Sequence, residues 1–91
     1  MRSTTICIPR IDKSITYETI KCVFQSYNFG NIQDINIVSG RENNKVFVKY
    51  NYWNTLPESI KFRNAINNKQ EVKLFYRFPC FWKCYKSFSR L

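Results

Sequence analysis

The residues with the clearest chemistry lie in the stretch 45–50, which reads Lys-Val-Phe-Val-Lys-Tyr. With the period of two that a β-strand imposes, its valines and Tyr50 share one face, and Lys45, Phe47 and Lys49 share the other. An aromatic ring between two cations is what a strand needs to stack a nucleic-acid base and hold its phosphates. The stretch therefore predicts a surface strand that binds a polyanion, with Phe47 as the stacking ring.

The charge of the whole chain agrees with an anionic partner. Its 91 residues carry 15 Lys plus Arg against 6 Asp plus Glu, for a formal net charge of +9. Hydrophobic residues make up 44% and aromatic residues 18%, enough apolar surface for one small folded domain. We expect a single domain over 1–91, with a core at about 4–78 and a C-terminal extension at 79–91.

The residue types argue against an enzyme and against a metal site. The chain has no His, only 2 Gly, and acidic residues scattered without an evident pair for acid–base work. Its 4 Cys include Cys80 and Cys84, but Cys7 and Cys22 are predicted on opposite sides of the sheet, so the four do not form a tetrahedral set. We expect no catalytic residue, no metal, no cofactor and reduced thiols.

Hydrophobic periodicity predicts the elements that position these residues. The predicted strands are 5–8, 32–38, 45–50 and 72–78, and the predicted helices are 16–27 and a second one that begins after Asn54-Thr55. Pro9 is expected to limit the first strand, because proline cannot donate to a ladder. Ser14 is the predicted N-cap of the first helix. In the second helix, Ile60 and Ile66 share a face and Phe62 lies off it.

This order of elements is the ferredoxin-like βαββαβ arrangement, an α+β fold. It predicts a four-stranded antiparallel sheet with both helices on one face and the other face open. The first and third strands would be central and would present Cys7 and Phe47 on the open face. The residues predicted to contact nucleic acid there are Phe47, Lys45, Lys49, Cys7, Arg10, Lys73, Phe75 and Arg77.

The first and third strands carry a family likeness. The segment 6–11, Ile-Cys-Ile-Pro-Arg-Ile, and the segment 43–50, Asn-Asn-Lys-Val-Phe-Val-Lys-Tyr, resemble the two strand motifs of the RNA-recognition motif (RRM) family. The resemblance covers residues about 4–78 and implies the ferredoxin-like fold and binding of single-stranded RNA in preference to DNA. The family stacks bases on three exposed aromatics of these motifs. Here Phe47 is retained, and Cys7 and Lys45 occupy the other two positions.

A narrower resemblance rests on the segments 8–11, 52–54 and 78–83. They are similar to small RRM-like proteins of large DNA viruses, which implies a location in the host cell or the virion. The N-terminus resembles no signal peptide, and no apolar run is long enough to span a membrane. We therefore expect an intracellular protein, cytoplasmic or nuclear, that does not insert into membranes.

The segment 79–91 mixes aromatics with cations and contains no acid. It is open whether this tail folds over the open sheet face, supplies extra stacking rings, forms a patch for a protein partner or second copy, or completes the core. Trp53 is either a ring at the rim of the binding face or a packing anchor. The accessory or partner-binding candidates are Trp53, Phe81, Trp82 and Lys83. The alternative function is a protein-interaction module, or a homodimer, that uses the open sheet face and the tail.

Overall fold

A computed structural model describes residues 4–87, which form five strands and two helices. The elements are β1 (Thr5–Asp12), α1 (Tyr17–Tyr27), β2 (Gly30–Val38), β3 (Asn43–Trp53), α2 (Pro57–Asn67), β4 (Val72–Arg77) and β5 (Cys80–Lys86). The strands pair antiparallel in one sheet of order β2-β3-β1-β5-β4. Neither helix in the described range has the length and hydropathy that a membrane span requires.

The α+β class is confirmed, but the predicted number of four strands is wrong. The fifth strand, β5, comes from the segment predicted as a C-terminal extension, and it lies in the sheet between β1 and β4. Its inward residues Trp82 and Cys84 are 4% and 0% exposed. Burying these side chains stabilises the sheet and displaces β4 to the edge.

One face of the sheet carries the hydrophobic core. The inward residues of β1 and β3 are opposite one another in register, as in the pairs Ile6–Val48 and Ile8–Val46. Residues from both helices join them in a single cluster, whose helical members are Ile20, Phe24 and Ile66. Because strand side chains alternate between faces, the remaining residues of these strands lie on the face opposite the core.

β1 continues through Pro9, contrary to prediction. The strand runs to Asp12, and its register with β3 shifts between Ile8 and Ile11. Pro9 lies within this irregularity and is exposed, so its missing N–H costs no ladder hydrogen bond.

The N-cap of α1 is Thr16, not Ser14 as predicted. Thr16 Oγ1 accepts a hydrogen bond of 3.2 Å from the Thr19 N–H. Ser14 instead stabilises the turn before the helix, where its N–H and its Oγ donate to Asp12 Oδ1 at 2.8 and 2.6 Å. At the other end the predicted stop is confirmed: Asn28 is the C-cap, in the left-handed conformation.

The predicted inward face of α2 is wrong at two positions, Ile60 and Phe62. Ile66 is fully buried, as predicted, but Ile60 is 38% exposed. Phe62 takes the inward place and stacks on Phe29 with ring centroids 4.4 Å apart. Residue 62 lies four positions before residue 66, the spacing that shares a helix face.

The prediction for the end of β4 is also wrong. The strand ends at Arg77, and Phe78, predicted as the last residue of the strand, is 81% exposed in the turn that leads to β5. The turn places Phe78 against Phe75 with ring centroids 5.3 Å apart. This contact puts two aromatic rings at the surface of the β4–β5 hairpin.

Candidate nucleic-acid interface

The open face of the sheet has a row of side chains that crosses four neighbouring strands. Asn36 is opposite Phe47, Phe47 is opposite Cys7, and Cys7 is opposite Tyr85. We call these residues the central row. Because neighbouring strands are about 4.8 Å apart, Phe47 and Tyr85 are separated by about 10 Å, with the Cys7 thiol between them.

Asn36 and Tyr85 are the members of this row that were not assigned to the predicted site, and Tyr85 is the one that adds a ring. In the sequence it stands in the segment taken as a tail. The alternation of Phe81, Lys83 and Tyr85 with the buried Trp82 and Cys84 is the signal that would have identified it. Cys7 has a ring opposite it on each neighbouring strand, Phe47 on β3 and Tyr85 on β5.

Lys45 and Lys49 lie on either side of Phe47 along β3, each about 7 Å away. Both are exposed. Lys49 is opposite Asp34 on β2, whereas Lys45 is opposite the uncharged Val38. Lys45 therefore offers the less compensated positive charge beside the ring.

The Cys7 thiol is partly buried in the middle of the face. Burial raises its pKa above the ordinary value of 9.0, and the positive charge of Lys45 offsets part of that rise. The thiol is consequently protonated at neutral pH. It contributes a small apolar surface between two rings rather than a nucleophile.

The β4–β5 hairpin extends the basic and aromatic surface. Phe75 is opposite Phe81, and their rings meet edge to face at 5.5 Å. The ammonium of Lys73 lies 4.8 Å from the centroid of the Phe81 ring, a cation–π contact. The predicted residues Lys73 and Phe75 thus share a surface with the accessory candidate Phe81.

Glu71, the residue before β4, contacts Tyr85 at the β5 end of the central row. Its Oε1 accepts a 2.7 Å hydrogen bond from the Tyr85 hydroxyl, and its Oε2 lies 4.0 Å from Lys83 Nζ. The hydrogen bond raises the pKa of Tyr85. Glu71 orients the Tyr85 ring and reduces the positive charge at this end of the face.

A groove of about 540 Å³ opens between β1 and β5. The residues that line it are Pro9, Arg10, Phe81, Trp82, Lys83 and Tyr85. In the described residues, the ladder between β1 and β5 consists of the pairs Ile6–Lys86 and Cys7–Tyr85. Beyond Cys7 the two strands are no longer paired. Four of the predicted residues line this groove: Arg10 and the accessory candidates Phe81, Trp82 and Lys83.

The two tryptophans are core residues. Trp53 is 8% exposed, and its Nε1 donates to the Thr4 carbonyl at 3.3 Å. Trp82 stacks on Tyr76 at 4.6 Å and on Phe24 at 6.3 Å. Of the alternatives for Trp53, the structure therefore favours the packing anchor, and burial leaves neither indole free to stack with a ligand.

Arg77 is exposed at the end of β4, opposite Cys80, at one end of the hairpin surface. The tail residues Phe88 and Arg90, which were considered as an extra ring and an extra cation, lie outside the described residues. The part of the tail that is described pairs within the sheet instead of folding over its open face.

The cysteines differ in accessibility. Cys22 and Cys80 are exposed, and Cys84 is buried, which raises its pKa to about 12. In residues 4–87 no group of three His, Cys, Asp or Glu side chains is placed to hold a metal ion.

Comparison of the chain with protein-family models, with curated proteins and with solved structures found no match.

Proposed function

We propose that this chain binds single-stranded nucleic acid, RNA in preference to DNA, on the open face of its sheet. The observation that carries the proposal is the position of Phe47 in the central row, partly exposed and flanked by Lys45 and Lys49. This arrangement supplies the two things that a single strand requires, a ring for a base and cations for the neighbouring phosphates.

Each part of the face has its own role. Phe47 stacks a base, and Tyr85, across Cys7, offers a second ring. The phosphates are held by exposed cations on β1, β3, β4 and β5, namely Arg10, Lys45, Lys49, Lys73, Arg77 and Lys83. Phe75 borders this surface at the hairpin. The proposal includes no catalytic step and no cofactor.

The sheet also supports a family proposal. β5 runs antiparallel to β1 and takes the position beside it that was predicted for the fourth strand. We propose that β1, β2, β3 and β5 act as the four-stranded binding sheet of an RRM-like, ferredoxin-like domain, with β4 added at the edge. Because only one of the motif rings is retained, binding should depend strongly on phosphate contacts and weakly on base sequence.

The role of Phe47 can be tested by fluorescence anisotropy with labelled short oligouridylate and oligothymidylate. Loss of the ring in Phe47→Ala should weaken binding about tenfold, and Phe47→Tyr should restore most of it. Tyr17→Ala is the matched control, because Tyr17 is an exposed ring on α1, away from the open face. Equal affinities of wild type and Phe47→Ala would refute the stacking role.

The role of the cations can be tested by the salt dependence of the same binding. Each phosphate contact adds about 0.7 to the slope of log affinity against log salt for a single strand. Lys45→Gln should lower the slope by about that amount. Lys61→Gln, an exposed cation on α2, should leave it unchanged. A wild-type affinity that does not vary with salt would contradict phosphate binding.

The second candidate function, self-association or binding of a protein partner, is favoured by one observation. Phe78 is 81% exposed. In the described residues its one ring contact is with Phe75, which is itself partly exposed. Exposed apolar patches of this kind mark interaction sites. Sedimentation equilibrium of wild type and Phe78→Ser would show a concentration-dependent dimer that the substitution abolishes.

A further inference from the structure

We infer that the groove between β1 and β5 is a second nucleotide subsite, which takes a neighbouring nucleotide of the strand whose base stacks on Phe47. The inference rests on the proposed function and deepens it, since it assigns the groove to the same ligand. It extends the binding surface beyond the two strands that carry the family motifs.

The groove follows from the local chemistry of β1. Ladder pairing between β1 and β5 stops at Cys7–Tyr85, and Pro9 has no N–H with which to continue it. The register irregularity of β1 between Ile8 and Ile11 falls at the same place. The strands separate there and leave a concave site of about 540 Å³ within an otherwise continuous sheet.

The lining of the groove suits a nucleotide. Phe81 and Tyr85 are partly exposed rings, and Arg10 and Lys83 are exposed cations. No Asp or Glu is among the lining residues. A planar base and an anionic phosphate are the two groups that such a combination recognises together.

Three contacts hold the rings that line the groove. The Tyr85 hydroxyl is held by Glu71 Oε1 at 2.7 Å. The Phe81 ring has Lys73 over it at 4.8 Å and Phe75 at its edge. A ring held by its neighbours in this way loses less conformational freedom when a base stacks on it.

Tyr85 connects the groove to the rest of the face. It belongs to the central row, opposite Cys7, and it also lines the groove. Phe47 on β3 and Tyr85 and Phe81 on β5 therefore lie in succession on one face, with Cys7 of β1 between Phe47 and Tyr85. A single strand that passes over Phe47 meets Tyr85 next and then enters the groove.

The test is a length series of oligouridylates, from a dinucleotide upward, measured by fluorescence anisotropy. For wild type, affinity should rise sharply at the length that spans Phe47 and the groove. Phe81→Ala should remove about tenfold of that gain and leave dinucleotide binding unchanged, and Arg10→Gln should lower the affinity for the longer oligonucleotides. Arg41→Gln, an exposed cation in the β2–β3 turn, is the matched control and should keep the full gain.

The outcomes separate this inference from the proposed function. If Phe47→Ala weakens binding at every length while Phe81→Ala reproduces the wild-type series, the groove is not a subsite and the proposed function stands. A wild type that binds no oligonucleotide overturns both.

Phe81→Leu, which preserves bulk without an aromatic ring, replaces Phe81→Ala if that variant does not fold. Crosslinking of 4-thiouridine oligonucleotides should label the peptide 81–85, and labelling confined to β3 would overturn the inference.

Discussion

Lys73 and Lys83 are directly opposite each other in the β4–β5 ladder, on the sheet face that also carries Phe47. Like charges in such a pair destabilise a sheet by about 0.2–1 kcal/mol. Two neighbours reduce that cost: Lys83 lies 4.0 Å from Glu71, and Lys73 lies over the Phe81 ring. A phosphate bound between the two ammonium groups would relieve the repulsion that remains in the free protein. The Lys73–Lys83 pair therefore suits a phosphate-binding surface.

Replacing Glu71 should change binding and stability in opposite directions. Glu71→Gln removes a negative charge beside Lys83, so affinity for oligouridylate should rise at low salt, and the gain should shrink as salt screens the charges. The same change replaces a charged acceptor of the Tyr85 hydroxyl by a neutral one, so the unfolding free energy should fall slightly. Anisotropy titrations and urea unfolding measure the two effects, with Glu58→Gln on α2 as the control. Lower affinity in Glu71→Gln would show that orientation of Tyr85 matters more than charge.

The cysteines provide a footprint of the proposed interface. With a thiol reagent such as DTNB, the exposed Cys22 and Cys80 should react fast, the partly buried Cys7 slowly, and the buried Cys84 only on unfolding. Bound oligonucleotide should slow Cys7 further, because Cys7 lies between Phe47 and Tyr85. Cys22, on α1, should keep its rate, and mass spectrometry of labelled peptides distinguishes the sites. Protection of Cys22 without protection of Cys7 would place the ligand on another face.

The face of α2 can be tested by the same substitution at two of its positions. Ile66 is fully buried, so Ile66→Ala should lower the unfolding free energy by about 2–5 kcal/mol. Ile60 is 38% exposed, so Ile60→Ala should cost less than about 1 kcal/mol. Urea unfolding measures both. Equal costs would mean that Ile60 and Ile66 share the inward face, as the sequence pattern alone predicts.

Stability should fall at alkaline pH, in part because of Cys84. Burial raises the pKa of its thiol from 9.0 to about 12, so the folded state holds this proton more tightly than the unfolded state does. The stabilisation is complete below about pH 9 and is lost as the pH rises toward 12. Burial also raises the pKa of Tyr50, which acts in the same direction. Cys84→Ala should therefore show a shallower decline of unfolding free energy from pH 8 to 11 than wild type, whatever its stability at neutral pH, and parallel curves would exclude the Cys84 contribution.

The amino-acid sequence by itself determined which face of each early strand is buried. Ile6 and Ile8 are inward and Cys7 outward, and Val46 and Val48 are inward and Phe47 outward. Side-chain direction in a strand is a local property with a period of two, so it can be read without knowing the neighbours. The C-terminal limit of α1 was predictable nearly as well, because the left-handed stop at Asn28 is also local, whereas the predicted N-cap, Ser14, lies two residues before the observed cap, Thr16.

Only the tertiary structure decided that β5 lies beside β1 and therefore which further side chains join Cys7 and Phe47 on the open face. The period of two assigns Tyr85 to a face but does not say that β5 pairs with β1, so the place of Tyr85 beside Cys7 could not be read from sequence. That pairing joins residues almost eighty positions apart, and it depends on the burial of Trp82 and Cys84 against the core outweighing the entropy of closing so long a loop.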